Sequence, residues 1–135
     1  MRNTVAIAGL LLVSLLLGGS ALRAQEALPK THEGLIKELI ASITQLETLL
    51  AGINDEAGVA AAKDKMQAIM VRQHQLGMAI KAAAKPSAEE EAKLEKLYKK
   101  NMEDAMKKLA AQYQRLAGVK GFKEAVADIK AKVQQ

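Results

Sequence analysis

Apolar residues recur along this chain at alternating intervals of three and four, the spacing that places them on one face of an α-helix. The pattern repeats in four successive stretches and predicts helices over residues 31–51, 56–84, 88–117 and 121–134. The first stretch shows it most clearly, with Ile36, Leu39, Ile43, Leu46, Leu50 and Ile53.

Residues that start and stop helices separate these stretches. Gly52 followed by Asp55 predicts a tight turn between the first two helices. Pro86 ends the second helix, because proline has no amide to donate and disfavours helical geometry in the preceding residue. Ser87 and Glu90 have the spacing of a capping box, so the third helix should begin at residue 88.

Each predicted helix has one apolar face, which must be buried against another helix. We therefore expect an all-α fold, an antiparallel, coiled-coil-like bundle of three to four helices. The second and third helices are the longest, and we expect them to form a long central hairpin with shorter helices flanking it.

The first 24 residues follow a different pattern. Arg2 is followed by an apolar run over residues 5–17 and then by small residues up to Ala24, an arrangement typical of a signal peptide. We predict that residues 1–24 are a cleaved signal peptide and that residues 25–135 form a single domain in the periplasm or outside the cell. The alternative is that residues 4–22 remain uncut and anchor the protein in a membrane.

Composition narrows the possible partners. The chain has no cysteine, so packing alone must stabilise it in an oxidising compartment. Loss of Arg2 and Arg23 with the signal peptide lowers the formal charge from +5 to +3. The only aromatic residues are Tyr98, Tyr113 and Phe122, so we expect no nucleic-acid partner.

Catalytic groupings are missing from the sequence. Ser42 falls inside a helix and Ser87 at a helix cap, and neither is a plausible nucleophile. The carboxylates of residues 89–91 lie at a helix start with no histidine near them. His32 reads as a surface residue, and the lysines of the third helix alternate with acids as on a solvated face. We expect no enzymatic activity.

One group of side chains could bind a soft metal. Thioethers and an imidazole recur every four residues on the second helix, and such groups suit Cu(I) or Ag(I). A step of four turns the direction by about 40°, so the line leaves the apolar face. Met66 and Met102 should fill the core, whereas His74 should lie at its boundary and Met78 outside it. The candidate ligands are Met70, His74, Met78 and Met106.

The overall plan resembles small exported bacterial all-helical proteins of unassigned function. The shared features are the signal peptide, the cysteine-free helices, Lys85-Pro86-Ser87 before an acidic helix start, and the segment Gln112-Tyr113-Gln114-Arg115-Leu116. The resemblance covers about residues 31–130, implies an exported helical fold, and carries no functional residues.

Two other exported helical classes are similar in architecture. Periplasmic four-helix haem cytochromes need a late axial histidine or a Cys-x-x-Cys-His segment; this chain has neither, so we expect no haem or other cofactor. Periplasmic helical chaperones carry Leu-Thr-x-x-Gln repeats, of which Ile43-Thr44-Gln45 is only a fragment.

These observations favour a non-enzymatic exported bundle that acts through protein–protein contacts in the periplasm or cell envelope. Its partner would be an envelope protein of unknown identity or another copy of the chain. The alternative function is soft-metal binding by the methionine and histidine line.

Overall fold

A computed structural model describes residues 27–135, and the expected signal peptide lies outside the described residues. The chain forms α1 (His32–Ala51), α2 (Glu56–Ala82), α3 (Ala88–Leu116) and α4 (Phe122–Val133), with no strand in this range. The all-α class is confirmed, and every helix end falls within two residues of its predicted position.

Side-chain caps explain why the first three helices begin where they do. In each, the oxygen of the residue before the helix accepts a hydrogen bond from the amide three residues on, an interaction that contributes about 1 kcal/mol. The pairs are Thr31 with Gly34 at 3.0 Å, Asp55 with Gly58 at 2.8 Å, and Ser87 with Glu90 at 3.1 Å. Helix α4 instead follows Gly121, whose φ of 85° suits glycine.

The arrangement of the helices differs from the expected one. Helix α1 packs against both α2 and α3, and α4 packs against α2, whereas α2 and α3 make no extended backbone contact. The expected central hairpin of the second and third helices is therefore wrong, and α1 is the central element. Its apolar residues, which include Leu35, Ile36, Leu39 and Ile40, cover a face broad enough to contact two helices.

The main core lies at the end of the bundle where α1 turns into α2. Helix α4 closes this end, and the rings of Tyr113 and Phe122 are in contact, with centroids 5.8 Å apart. All four helices or their turns contribute buried side chains: Leu46, Leu50, Ile53, Val59, Ala62, Met66, Leu116, Phe122, Ala125 and Ile129.

Arg115 ties α3 to the end of α1 at this core. Its Nη1 donates to the carbonyl oxygen of Ile53 at 3.0 Å and its Nη2 to that of Leu50 at 2.8 Å. Its Nε donates to Oε1 of Gln112 at 2.9 Å, which orients the guanidinium. The guanidinium thus adds a bond to a carbonyl in the last turn of α1 and binds a carbonyl of the turn that follows it.

Polar contacts join the helices at the other end, near the start of α1. His32 Nε2 lies 2.5 Å from the carbonyl oxygen of Ala84, just past α2. The Tyr98 hydroxyl on α3 donates to Oε2 of Glu33 on α1 at 2.5 Å. His32, expected to be a surface residue, is thus half-buried and links two elements.

Candidate functional site: an open groove between α2 and α3

A groove of about 520 Å³ lies between the last turns of α2 and the first half of α3. Helix α1 contributes to it through Ile36, and the loop after α2 contributes Pro86. The volume is within the ~300–1,000 Å³ range of ligand-binding clefts. Its apolar lining is formed by Ile36, Ile80, Ala83, Pro86, Leu94 and Met102, together with the ring of Tyr98.

Charged residues surround this open groove. Lys99 and Glu95, both on α3, form an ion pair at 3.3 Å. Lys81 and Lys85 on the α2 side form no ion pair within residues 27–135. The α2 side of the groove therefore carries two lysines without an ion pair in the described part of the chain, and Glu91, which lines the groove on the α3 side, also has no ion pair there.

Tyr98 contributes an apolar ring to the groove while its hydroxyl is occupied elsewhere. The hydrogen bond to Glu33 raises the pKa of the Tyr98 hydroxyl above its ordinary value of 10.0, since the carboxylate stabilises the protonated phenol. The polar end of the side chain is held against α1, so Tyr98 presents mainly its apolar ring to the floor of the groove.

The groove exists because α4 is too short to cover α2. Helix α2 has 27 residues and α4 has 12. Two ion pairs fix the register: Lys63 Nζ lies 2.6 Å from Asp128 Oδ2, and Lys120 Nζ lies 3.7 Å from Glu56 Oε2. From Glu56 to Lys63 along α2, the paired residue advances from Lys120 to Asp128, so α4 runs parallel to α2. The last residue of α4, Val133, therefore lies beside about residue 68 of α2.

The groove lies on the same side of the bundle as α4. On α3, Met102 lines the groove and Tyr113 contacts α4; they are eleven residues apart, about three full turns, and so share a face. On α2, Lys81 lines the groove and Lys63 pairs with α4; they are eighteen residues apart, or five full turns. We call this side of the bundle between α2 and α3, which α4 covers at one end and the open groove occupies at the other, the α4 lane.

The repeating apolar pattern of the second and third helices includes Ile80, Leu94, Tyr98 and Met102, but it does not reveal the groove. Of these, only Leu94 is buried, and Met102, which we expected to fill the core, lines the groove instead. Helical periodicity shows which side chains share a face, but it does not show whether a covering helix extends that far. The length difference between the predicted second and fourth helices was the available signal.

The candidate soft-metal ligands are spread along two helices. Met70 packs partly buried against the main core, whereas His74 and Met78 are exposed on the next two turns of α2. Met106 is exposed on α3, which does not pack along α2. None of the four lines any of the three cavities described here.

The other sequence candidates are also separated in space or bonded in ordinary ways. Residues 89–91 form the first turn of α3, where their charge favours the helix dipole. Among residues 27–135, no three histidine, aspartate or glutamate side chains are grouped closely enough to hold a metal ion. In the same range no helix has the length and apolar character needed to cross a bilayer.

Two smaller cavities lie elsewhere on the bundle. One of about 370 Å³ lies between α1 and α3 near Thr44, Asp104 and Lys108. Another of about 290 Å³ lies beside Tyr113 and Phe122, where α3 meets α4. The second cavity also combines an apolar lining with two lysines, Lys123 and Lys130, that form no ion pair among residues 27–135, but it is only about half as large as the open groove.

Comparison with protein-family models, with curated proteins and with solved structures finds no match to this chain. The interpretation of the groove therefore depends on its own geometry and chemistry.

Proposed function

We propose that this chain is an exported, non-enzymatic helical bundle that acts through protein–protein contacts in the periplasm or cell envelope. Export is supported by the residue pattern of the first 24 positions. The contact function is supported by the open groove, where apolar side chains from three helices face solvent together.

Burial of that surface by a partner would be favourable by about 25 cal/mol per Å² of apolar area. Met102 in the lining suits such a role, because an unbranched thioether can adapt its shape to different partners. Exposed apolar surface of this kind, bordered by charged residues, is characteristic of interaction sites.

Site-specific photocrosslinking in the cell tests the proposal. A photoreactive side chain replacing Ile80 should crosslink to a discrete envelope protein that is then identified by mass spectrometry. The same group replacing the exposed Lys107, which points away from the groove on α3, is the matched control and should give no such product. The absence of any Ile80-dependent product would count against contact through the groove.

The location is tested on the same samples. Mass spectrometry of the recovered chain should show an N-terminus at Gln25, and fractionation should place the protein in the periplasm or cell envelope. An intact mass that includes residues 1–24, in a membrane fraction, would instead support the anchored form.

A second candidate function is Cu(I) or Ag(I) binding, favoured by the exposure of His74 and Met78 one turn apart on α2. Their donor atoms are accessible, and Met70 and Met106 would have to complete the set. Titration with Cu(I) under reducing conditions should then show binding that the double change His74→Ala, Met78→Ala abolishes. Equal affinities of the native chain and this variant would exclude the candidate.

A further inference from the structure

We infer that the open groove receives an amphipathic helix of another protein, lying in line with α4 and placing a carboxylate opposite Lys81. This inference rests on the proposed function, because it specifies the partner that the groove would bind. It starts from the α4 lane, where the chain's own last helix shows what kind of element the space between α2 and α3 accepts.

The filled part of the lane defines the chemistry of its occupant. Helix α4 buries Phe122, Ala125 and Ile129 against α1, α2 and α3. At its flank, Asp128 pairs with Lys63 of α2 at 2.6 Å, and this contact lowers the pKa of the Asp128 carboxyl. The lane thus accepts a helix with an apolar stripe and an acidic residue beside it.

The uncovered part repeats these features. From the end of α4, beside about residue 68, α2 continues for some fourteen residues to Ala82, a length of about 21 Å. Over that length Ile80, Leu94 and Met102 supply apolar walls. Lys81 occupies the same edge of α2 as Lys63, five turns or about 27 Å further along, and has no ion-pair partner within residues 27–135.

One further detail concerns Gly77, which lies on α2 between the end of α4 and Ile80. A Cβ added at Gly77 would have no atom within 4 Å, so a side chain can be introduced there without a clash at its base.

A second copy of the chain is a poorer occupant than another protein. Within residues 27–135 the stripes of α1 and α4 are already buried in the bundle. The large exposed apolar residues of the described chain do not form a stripe either: Met78 is the one such residue on α2, and Leu97 and Met106 on α3 are nine residues apart and face opposite directions. No described element of a second copy therefore presents the helix that the lane requires.

The test uses a fluorescein-labelled peptide with the sequence of residues 120–135, which carries the stripe and acidic residue of α4. Its fluorescence anisotropy is measured against the exported chain as recovered from cells. We expect saturable one-to-one binding that Lys81→Glu weakens about threefold to fivefold, the effect of losing one partly exposed ion pair. A peptide with Asp128→Lys should regain the lost affinity on the Lys81→Glu chain.

Three control variants separate the alternatives. Lys107→Glu makes the same charge change on an outward face and should leave binding unchanged. Gly77→Phe should fold, because a Cβ at this position has no atom within 4 Å, and should weaken binding at least tenfold by filling the lane. Lys63→Glu should not abolish the Lys81 dependence; if the affinity follows Lys63 alone, the peptide is exchanging with α4 and the inference fails.

Other results would also overturn it. An absence of saturable binding at millimolar peptide, or equal binding by the native and Gly77→Phe chains, would show that the groove does not accept a helix. A dimer that the peptide dissociates in sedimentation experiments would identify a second copy as the occupant. If the peptide fails while Ile80 still crosslinks to an envelope protein, the inference is wrong but the proposed function stands.

Discussion

Arg115 provides the sharpest test of how the bundle is held together at its closed end. Replacement by Met keeps most of the side-chain volume and removes the two hydrogen bonds to the carbonyl oxygens of Ile53 and Leu50. Bonds to charged donors contribute about 1.5–3 kcal/mol each. We use the lower part of that range, because the residue is largely exposed and the Leu50 carbonyl oxygen also accepts from the Ile53 amide at 3.0 Å.

The expected loss is therefore about 2 kcal/mol in the free energy of unfolding. For a domain of this size it corresponds to a fall in Tm of about 8 °C. Urea denaturation followed by circular dichroism measures the free energy, and a thermal scan measures Tm. Arg115→Lys should lie between Met and the native chain, because one ammonium cannot reach both carbonyl oxygens with the same geometry.

Lys107→Met is the control, since it removes a charge from α3 at an exposed position without a hydrogen bond in the described structure. It should change the free energy of unfolding by less than about 0.5 kcal/mol. If Arg115→Met is no more destabilising than this control, the guanidinium does not join α3 to the end of α1 as described.

Three further perturbations have defined outcomes. Gly77→Ala should raise the free energy of unfolding, measured by urea denaturation, by about 0.5–1 kcal/mol, because alanine favours helix in the interior of α2 and its Cβ meets no clash. Gly58→Ala should be stabilised less, because its Cβ would lie 3.3 Å from Asp55 Oδ1. Tyr98 has a raised pKa, so its contribution to stability is present below pH 10 and is lost as the pH rises through the folded-state pKa. Tyr98→Phe should therefore make urea midpoints between pH 9 and about pH 11 less dependent on pH, and an unchanged slope would contradict the Glu33 bond. Asp128 has a lowered pKa caused first by its bond to Lys63, so its contribution is present above about pH 4 and is lost as the pH falls through the folded-state pKa. Lys63→Met should reduce that loss on acidification, and an identical acid response of the two chains would contradict the pairing.

Local signals in the sequence were enough to predict the helices. Thr31, Asp55 and Ser87 cap the three helices at the predicted positions because a side-chain oxygen and an amide three residues on interact within a single turn. Pro86 acts equally locally. The exposure of Met78 and the burial of Met66 also followed correctly from helical geometry alone.

The mutual placement of the helices was harder to predict. Choosing α1 as the central helix requires comparing how much apolar surface each pair of helices can bury, which no single spacing shows. The hydrogen bond between His32 and Ala84 and those from Arg115 to Leu50 and Ile53 are equally long-range, because they join residues 52 or more positions apart. The open groove depends on a difference in length between helices, so it appears only when their register is known.

The core at the closed end contains residues as far apart in the sequence as Leu46 in α1 and Ile129 in α4. Leu46 and Leu50 are synthesised early, but Phe122, Ala125 and Ile129 complete their surroundings only when the last helix has been made. Distant contacts of this kind slow the closing of the core relative to the formation of local helices. If the chain is exported as proposed, a core that needs its last helix would leave the nascent polypeptide free to pass a narrow translocation channel before the native structure closes.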